Sequence, residues 1–271
     1  MTARVHAVPL GRASVAAILL TTLVGIAAFT WPLLASPHSA AVAHSGDAPL
    51  VFAVVIPLLL LVVLAQVSDG DMDAKAVAML GVMTAVITAL RPLGAGVAGL
   101  EPIWAILILG ARALGPGFGF SLGAISMFTS AVATGGVGPW LPFQMLGAAW
   151  VGLGAGLLPR LGGRREVVML AGYAAGACLV YGFLLNLWFW PFTTGLPDAI
   201  VFFNGAPITE NVGAWLRFTL ATSLGYDIPR AVLTVVLIVL AGPVVLTALR
   251  RVGRRASFTS SFVDARDEVR T

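Results

Sequence analysis

A succession of apolar runs, most of them about twenty residues long, is separated by short gaps that hold nearly all the arginines. Twenty apolar residues wound as a helix match the hydrocarbon thickness of a bilayer, so each run reads as a membrane-crossing helix. Composition agrees: 59% of the residues are hydrophobic and 10% charged, where a soluble domain carries roughly a quarter charged residues. The chain therefore reads as an all-α, polytopic helical membrane protein, and soluble enzyme classes are disfavoured. A formal charge of +4 invites a nucleic-acid reading. The arginines sit at helix ends and in short loops, which is a topology signal instead, so no nucleic acid is expected as a partner.

Taken in order, the runs give about eight transmembrane helices. The first covers about 13–34, after Arg4 and Arg12. Its basic start and Ala41-Val42-Ala43 downstream resemble a cleaved signal, but the run is longer than a usual signal core, so an uncleaved helix is expected. The segment after it holds His38 and His44 and no Lys or Arg, which marks it as outside. A second run, about 50–66 with Pro57 inside, ends in an acidic linker with Asp69, Asp71 and Asp73. The spacing is near that of a calcium loop, but the glycine is misplaced and no glutamate follows, so a solvated linker and a negatively charged helix start are expected. Further runs cover about 74–90, 103–114, 118–133, a stretch at 138–159, 167–188 and 229–249. The segment from Phe192 to about Tyr226 is expected outside, with a short interfacial helix over 212–222. Eight spans put both termini inside. Arg112, Arg160, Arg164, Arg165, Arg250, Arg251, Arg254 and Arg255 then fall inside, and Arg91, Arg217 and Arg230 outside. The linker divides the chain into an N-terminal pair with its linker (1–73), a six-helix unit (74–251) and a polar cytoplasmic tail (252–271).

The six-helix unit is organised around 138–159, Gly-Pro-Trp-Leu-Pro-Phe-Gln-Met-Leu-Gly-Ala-Ala-Trp-Val-Gly-Leu-Gly-Ala-Gly-Leu-Leu-Pro. Trp140 between prolines suits a membrane interface. Gln144 lies about one turn deeper, where a lone amide faces a neighbouring helix or a ligand cavity. Gly147, Gly152, Gly154 and Gly156 allow other helices to approach closely. At the same boundary lie Arg91, Glu101, Trp104, Asn186 and Trp188. Arg91 and Glu101 snorkel to water or pair across their loop, or they line a mouth under it. Tryptophans at this depth are ordinary anchors. Together with Arg91, Glu101, Gln144 and Asn186, Trp104, Trp140 and Trp188 also suit a pocket for a flat organic ligand.

Catalytic chemistry is missing from the pattern, and no enzyme is expected. His6, His38 and His44 all precede the six-helix unit, and there is neither a metal-binding His-Glu-x-x-His nor a phosphate-binding loop. Gly119-Phe-Ser121-Leu-Gly123 matches Gly-x-Ser-x-Gly, but its setting is not strand to helix and no later histidine serves as base, so Ser121 reads as a packing residue. Cys178 is the single cysteine and reads as a small buried hydrophobe. No metal site and no resident cofactor are expected. The deep spans are almost free of carboxylates, which disfavours a pump with its own ion chemistry.

Gly138 to Met145, followed by Ala149-Trp150-Val-Gly152 and Gly154-Ala-Gly156, resembles the fourth helix of substrate-binding S components of energy-coupling factor (ECF) vitamin transporters. Leu114-Gly-Pro-Gly117-Phe-Gly119-Phe-Ser-Leu-Gly123 is similar to the turn and third helix of that family. The resemblance covers about 74–251. It implies a subunit of the cell membrane that captures a vitamin at the outer face and delivers it with a transmembrane coupling protein and two ATP-binding cassette ATPases. It also implies that Ala74-x-x-x-Ala78 contacts the coupling protein and that the loop from Gly94 to Gly99 is a lid. The proline-tryptophan and glutamine pattern is closest to the cobalamin type, with riboflavin and other cofactor precursors open. The first two helices depart from the family's six. A self-sufficient secondary transporter or channel, or a membrane scaffold without a small ligand, are the other readings.

Overall fold

In the computed structural model the described residues are Val8 and residues 10–34, 48–68, 72–94, 99–193, 195–203 and 205–268. They form α1 (Arg12–Leu34), α2 (Ala48–Ser68), α3 (Ala74–Leu90), α4 (Ile103–Leu114), α5 (Pro116–Thr134), α6 (Leu141–Leu157), α7 (Gly163–Phe189), α8 (Ile208–Thr222) and α9 (Leu224–Glu268), with a 3₁₀ turn at Arg91–Gly94. The chain is a polytopic helical membrane protein: five helices are long and apolar enough to cross a bilayer, and Val54–Gln66, Ile103–Leu114 and Leu141–Leu157 are shorter apolar helices. These correspond one for one to the eight spans expected from the sequence, with α8 as the extra, amphipathic element.

The architecture is built around α4. Every one of its residues except Ile106 is buried, because α3, α5, α6, α7 and α9 all pack on it. Beside it, α5 and α6 are the most closely packed pair, and glycine is the cause. A Cβ at Gly152 would overlap the Gly119 carbonyl, one at Gly123 the Ala148 carbonyl, and one at Gly156 the backbone of Pro116. Without side chains between them the two backbones reach van der Waals contact, which is how helices gain packing energy in lipid. Gly147 and Gly154 serve the other side of α6, giving room to the rings of Tyr181 and Tyr173. Outward-facing apolar side chains such as Val168, Leu240 and Val244 are uncovered, as lipid-facing positions are.

The N-terminal pair is packed against the six-helix unit. Gly25 of α1 lies under Trp150 and Leu146 of α6, Phe29 meets the Phe143 ring edge-on at 5.0 Å, and Trp150 Nε1 donates to Thr22 Oγ1 at 3.2 Å. At the other end of the pair, Gln66 Nε2 of α2 donates to the Gly117 carbonyl at 3.1 Å, and the Val8 N–H to the Leu114 carbonyl at 3.0 Å.

Several boundaries differ from expectation. Asp73 caps α3, accepting from the Ala76 N–H at 2.7 Å, as a negative helix start should; Asp69 and Asp71 lie outside the described residues. The helix expected over 167–188 starts at Gly163, because Glu166 in its first turn is held by arginines from two other helices. The helix expected over 229–249 starts at Leu224 and runs to Glu268. Pro229 suggests a first helical position, but Asp227 places a favourable negative charge in an earlier first turn and accepts from Ser223 at 2.5 Å. The interfacial helix begins at Ile208 and meets α9 across Ser223 alone.

Candidate functional site

Polar side chains converge at the two ends of the bundle, around Arg91 at one and Arg112 at the other. At the Arg91 end, the guanidinium sits where α3 gives way to its 3₁₀ turn. Its Nη1 donates to Ser130 Oγ at 2.5 Å and to the Met127 carbonyl at 3.2 Å, both on α5. Its Nη2 donates to Gln144 Oε1 of α6 at 2.7 Å. Arg91 is partly exposed and thus fastens three helices at their ends. Gln144, whose amide faces a neighbouring helix here, is oriented by this bond.

A second group lies across α4, α7 and α9. Glu101 Oε2, just before α4, accepts from Trp104 Nε1 at 2.6 Å and from Arg230 Nε of α9 at 3.1 Å. Arg230 Nη1 reaches Asp227 Oδ1 at 2.6 Å, one turn back on its own helix. The same guanidinium lies 5.9 Å from the Trp104 ring centre and 5.4 Å from that of Tyr181, within cation–π range. The two rings are 4.3 Å apart. Asp227 fits against α7 because residue 182 is glycine; a Cβ there would overlap the carboxylate. The turn that carries Arg91 meets the segment that carries Glu101: a Cβ at Gly94 would lie 3.1 Å from Glu101 Cγ, so the two groups form one polar end.

The structure therefore brings together Arg91 with Gln144, and Glu101 with Trp104. The ion pair of Glu101 is made with Arg230 and not with Arg91, whose acceptors are all neutral. Trp188 is buried with its ring stacked on Phe143 at 4.9 Å, next to Gln144 in sequence. Trp140 is 43% exposed and donates to its own turn at the Gly136 carbonyl. Asn186 donates to Thr219 Oγ1 at 3.4 Å and so joins α7 to α8. Sequence reasoning missed Ser130, Tyr181, Asp227 and Arg230. The signal was present: Asp227-x-x-Arg230 places opposite charges one turn apart at the head of the longest apolar helix, where a carboxylate is costly unless paired. The loop expected to act as a lid carries Gly99 at φ +77°, seated so tightly on the Tyr226 carbonyl that any side chain would overlap it; residues 95–98 lie outside the described ones.

At the opposite end Arg112 is 6% exposed. Its Nε pairs with Glu166 Oε1 at 2.7 Å, and its two terminal nitrogens donate to the Leu158 and Pro159 carbonyls at 2.8 and 2.9 Å. Arg250 of α9 grips the same carboxylate, with Nη1 at 3.0 Å from Oε2. This clamp was not anticipated; Arg112 and Arg250 read only as topology markers. At this end too, Ala74 and Ala78 of α3 are both exposed. Cys178 is buried beside Thr234 at 3.6 Å, and Ser121 is buried inside α5. Among the described residues no group of His, Cys, Asp and Glu is placed to hold a metal ion. His6, His38 and His44 lie outside them.

No protein-family model, curated protein or solved structure matches this chain.

Proposed function

We propose that this protein is the substrate-capture subunit of an ECF-type importer of the cell membrane. It binds a vitamin or cofactor precursor, cobalamin first and riboflavin or another vitamin next, at the Arg91 end, which faces outside; both termini are cytoplasmic. A transmembrane coupling protein and two ATP-binding cassette ATPases drive release inside. The observation that carries the reading is the polar end itself: Arg91 at the end of α3, Glu101 and Trp104 at the start of α4, Gln144 of α6 and Arg230 of α9 come from four segments onto one end of an otherwise apolar bundle. Aromatic faces with a few fixed polar groups are what a small organic ligand requires. At the other end, the exposed Ala74 and Ala78 leave α3 open to close approach by another membrane helix.

A second reading rests on Asp227, which is 1% exposed in the first turn of an apolar helix: a buried carboxylate is the feature a self-sufficient secondary transporter needs. Uptake of labelled cobalamin or riboflavin into proteoliposomes separates the two. The capture reading expects uptake only when the coupling protein, the ATPases and ATP are present. Uptake by this chain alone, driven by an ion gradient, supports the second reading instead.

A further inference from the structure

We infer that Arg91 is a fork for an anionic group of the ligand, a carboxylate or a phosphate; the inference rests on the capture reading and names the ligand chemistry. A guanidinium carries five N–H donors in a fixed plane: one on Nε and two on each terminal nitrogen. At Arg91 the two on Nη1 are spent on Ser130 Oγ and the Met127 carbonyl, and one of the two on Nη2 on Gln144 Oε1. Among the described residues nothing accepts from the remaining two, on Nε and Nη2. Nε and Nη2 lie along the side-on edge of the guanidinium, the edge whose donor spacing matches the two oxygens of a carboxylate or of a phosphate.

Charge points the same way. Among the described residues, Arg112 and Arg250 are paired with Glu166, and Arg230 with Glu101 and Asp227. Arg91 has only neutral acceptors. Glu101 and Asp227 are both bonded to Arg230, and neither pairs with Arg91. Its three bonds, to α5 and α6, fix the guanidinium plane before any ligand arrives, which lowers the ordering cost of binding. The flanking Leu93 is 67% exposed, so the turn that carries Arg91 opens to the surroundings. Thr84 and Thr88 stand on the same face of α3, and their hydroxyls are buried without a hydrogen-bond partner.

The test is binding by the purified full chain of matched pairs that differ in the anion: pantothenate and panthenol, biotin and biotin amide, and riboflavin phosphate and riboflavin. The expected result is a pair whose anionic member binds about tenfold or more tighter than its neutral partner. In that pair Arg91→Gln brings the ratio close to one, and Arg91→Lys, which keeps the charge and loses the fork, leaves an intermediate ratio. The wild-type ratio alone decides if a variant fails to fold. A neutral member bound as tightly as its anionic partner overturns the fork and leaves the capture reading standing. Binding of no member of any pair overturns both.

Discussion

Arg230 shows how much one side chain does in an apolar setting. It satisfies two carboxylates from two segments and covers two aromatic rings. Replacing it by Gln or Leu leaves Asp227 and Glu101 uncompensated, a loss of roughly 3–5 kcal/mol by the behaviour of broken buried pairs. Thermal unfolding in detergent should show a markedly lowered midpoint, and unchanged stability would mean that these carboxylates do not depend on Arg230. Glu166→Gln strands two arginines at the opposite end and is expected to cost a comparable amount, roughly 3–5 kcal/mol. Gln144→Ala is milder for folding, about 1.5–3 kcal/mol for a hydrogen bond to a charged group, and is expected to weaken ligand capture by freeing Arg91. At this scale the sequence was half legible. Arg91, Glu101, Trp104 and Gln144 stand out as polar residues at the end of apolar runs. Their pairing does not, because Glu101 and Arg230 are 129 positions apart and nothing local tells Glu101 to prefer α9 over Arg91. Arg112 differs for a related reason: position near a turn says nothing about burial, and the approach of α7, α9 and the residues after α6 encloses it.

Among the helices, spacing is set by glycine. Gly152→Leu or Gly123→Val forces α5 and α6 apart where their backbones touch. The cost is expected at or beyond the 1–3 kcal/mol typical of overpacking, with loss of well-folded protein on size exclusion. Gly172→Ala on α7, where an added Cβ meets nothing within 4 Å, is the matched control and should be neutral or slightly stabilising through helix propensity. On the proposed capture function, Ala78→Leu on the open face of α3 should likewise spare folding and ligand binding but reduce uptake with the coupling subunits; equal loss of binding and uptake would remove the division of labour between the two ends. The elements themselves are readable, since apolar length and Gly-Pro breaks locate the helices to within a few residues, except that α9 continues through the polar tail to Glu268. What length does not give is where a helix starts when a long-range contact decides it. Glu166 draws α7 back to Gly163, and Asp227 with Ser223 draws α9 back to Leu224.

In the whole molecule the two ends have different characters. One end binds its charges through neutral acceptors, rings and a single shared arginine. The other is a clamp in which Arg112, Glu166 and Arg250 tie α4, α7 and α9 to the carbonyls that follow α6. The N-terminal pair, which the sequence sets apart by its acidic linker, is bound to both α5 and α6. Phe29, 1% exposed, fills the space between Phe143 and Trp150, so Phe29→Ala is expected to cost about 3–5 kcal/mol and to loosen the whole bundle. The measurement that bears most directly on function is native mass spectrometry of the full chain purified gently from its host membrane. A cofactor-sized molecule released from the folded chain, together with copurifying coupling and ATPase subunits, is the expected result. A chain that carries no small molecule, recruits no ATPase and binds no vitamin when supplied with one would contradict the capture function.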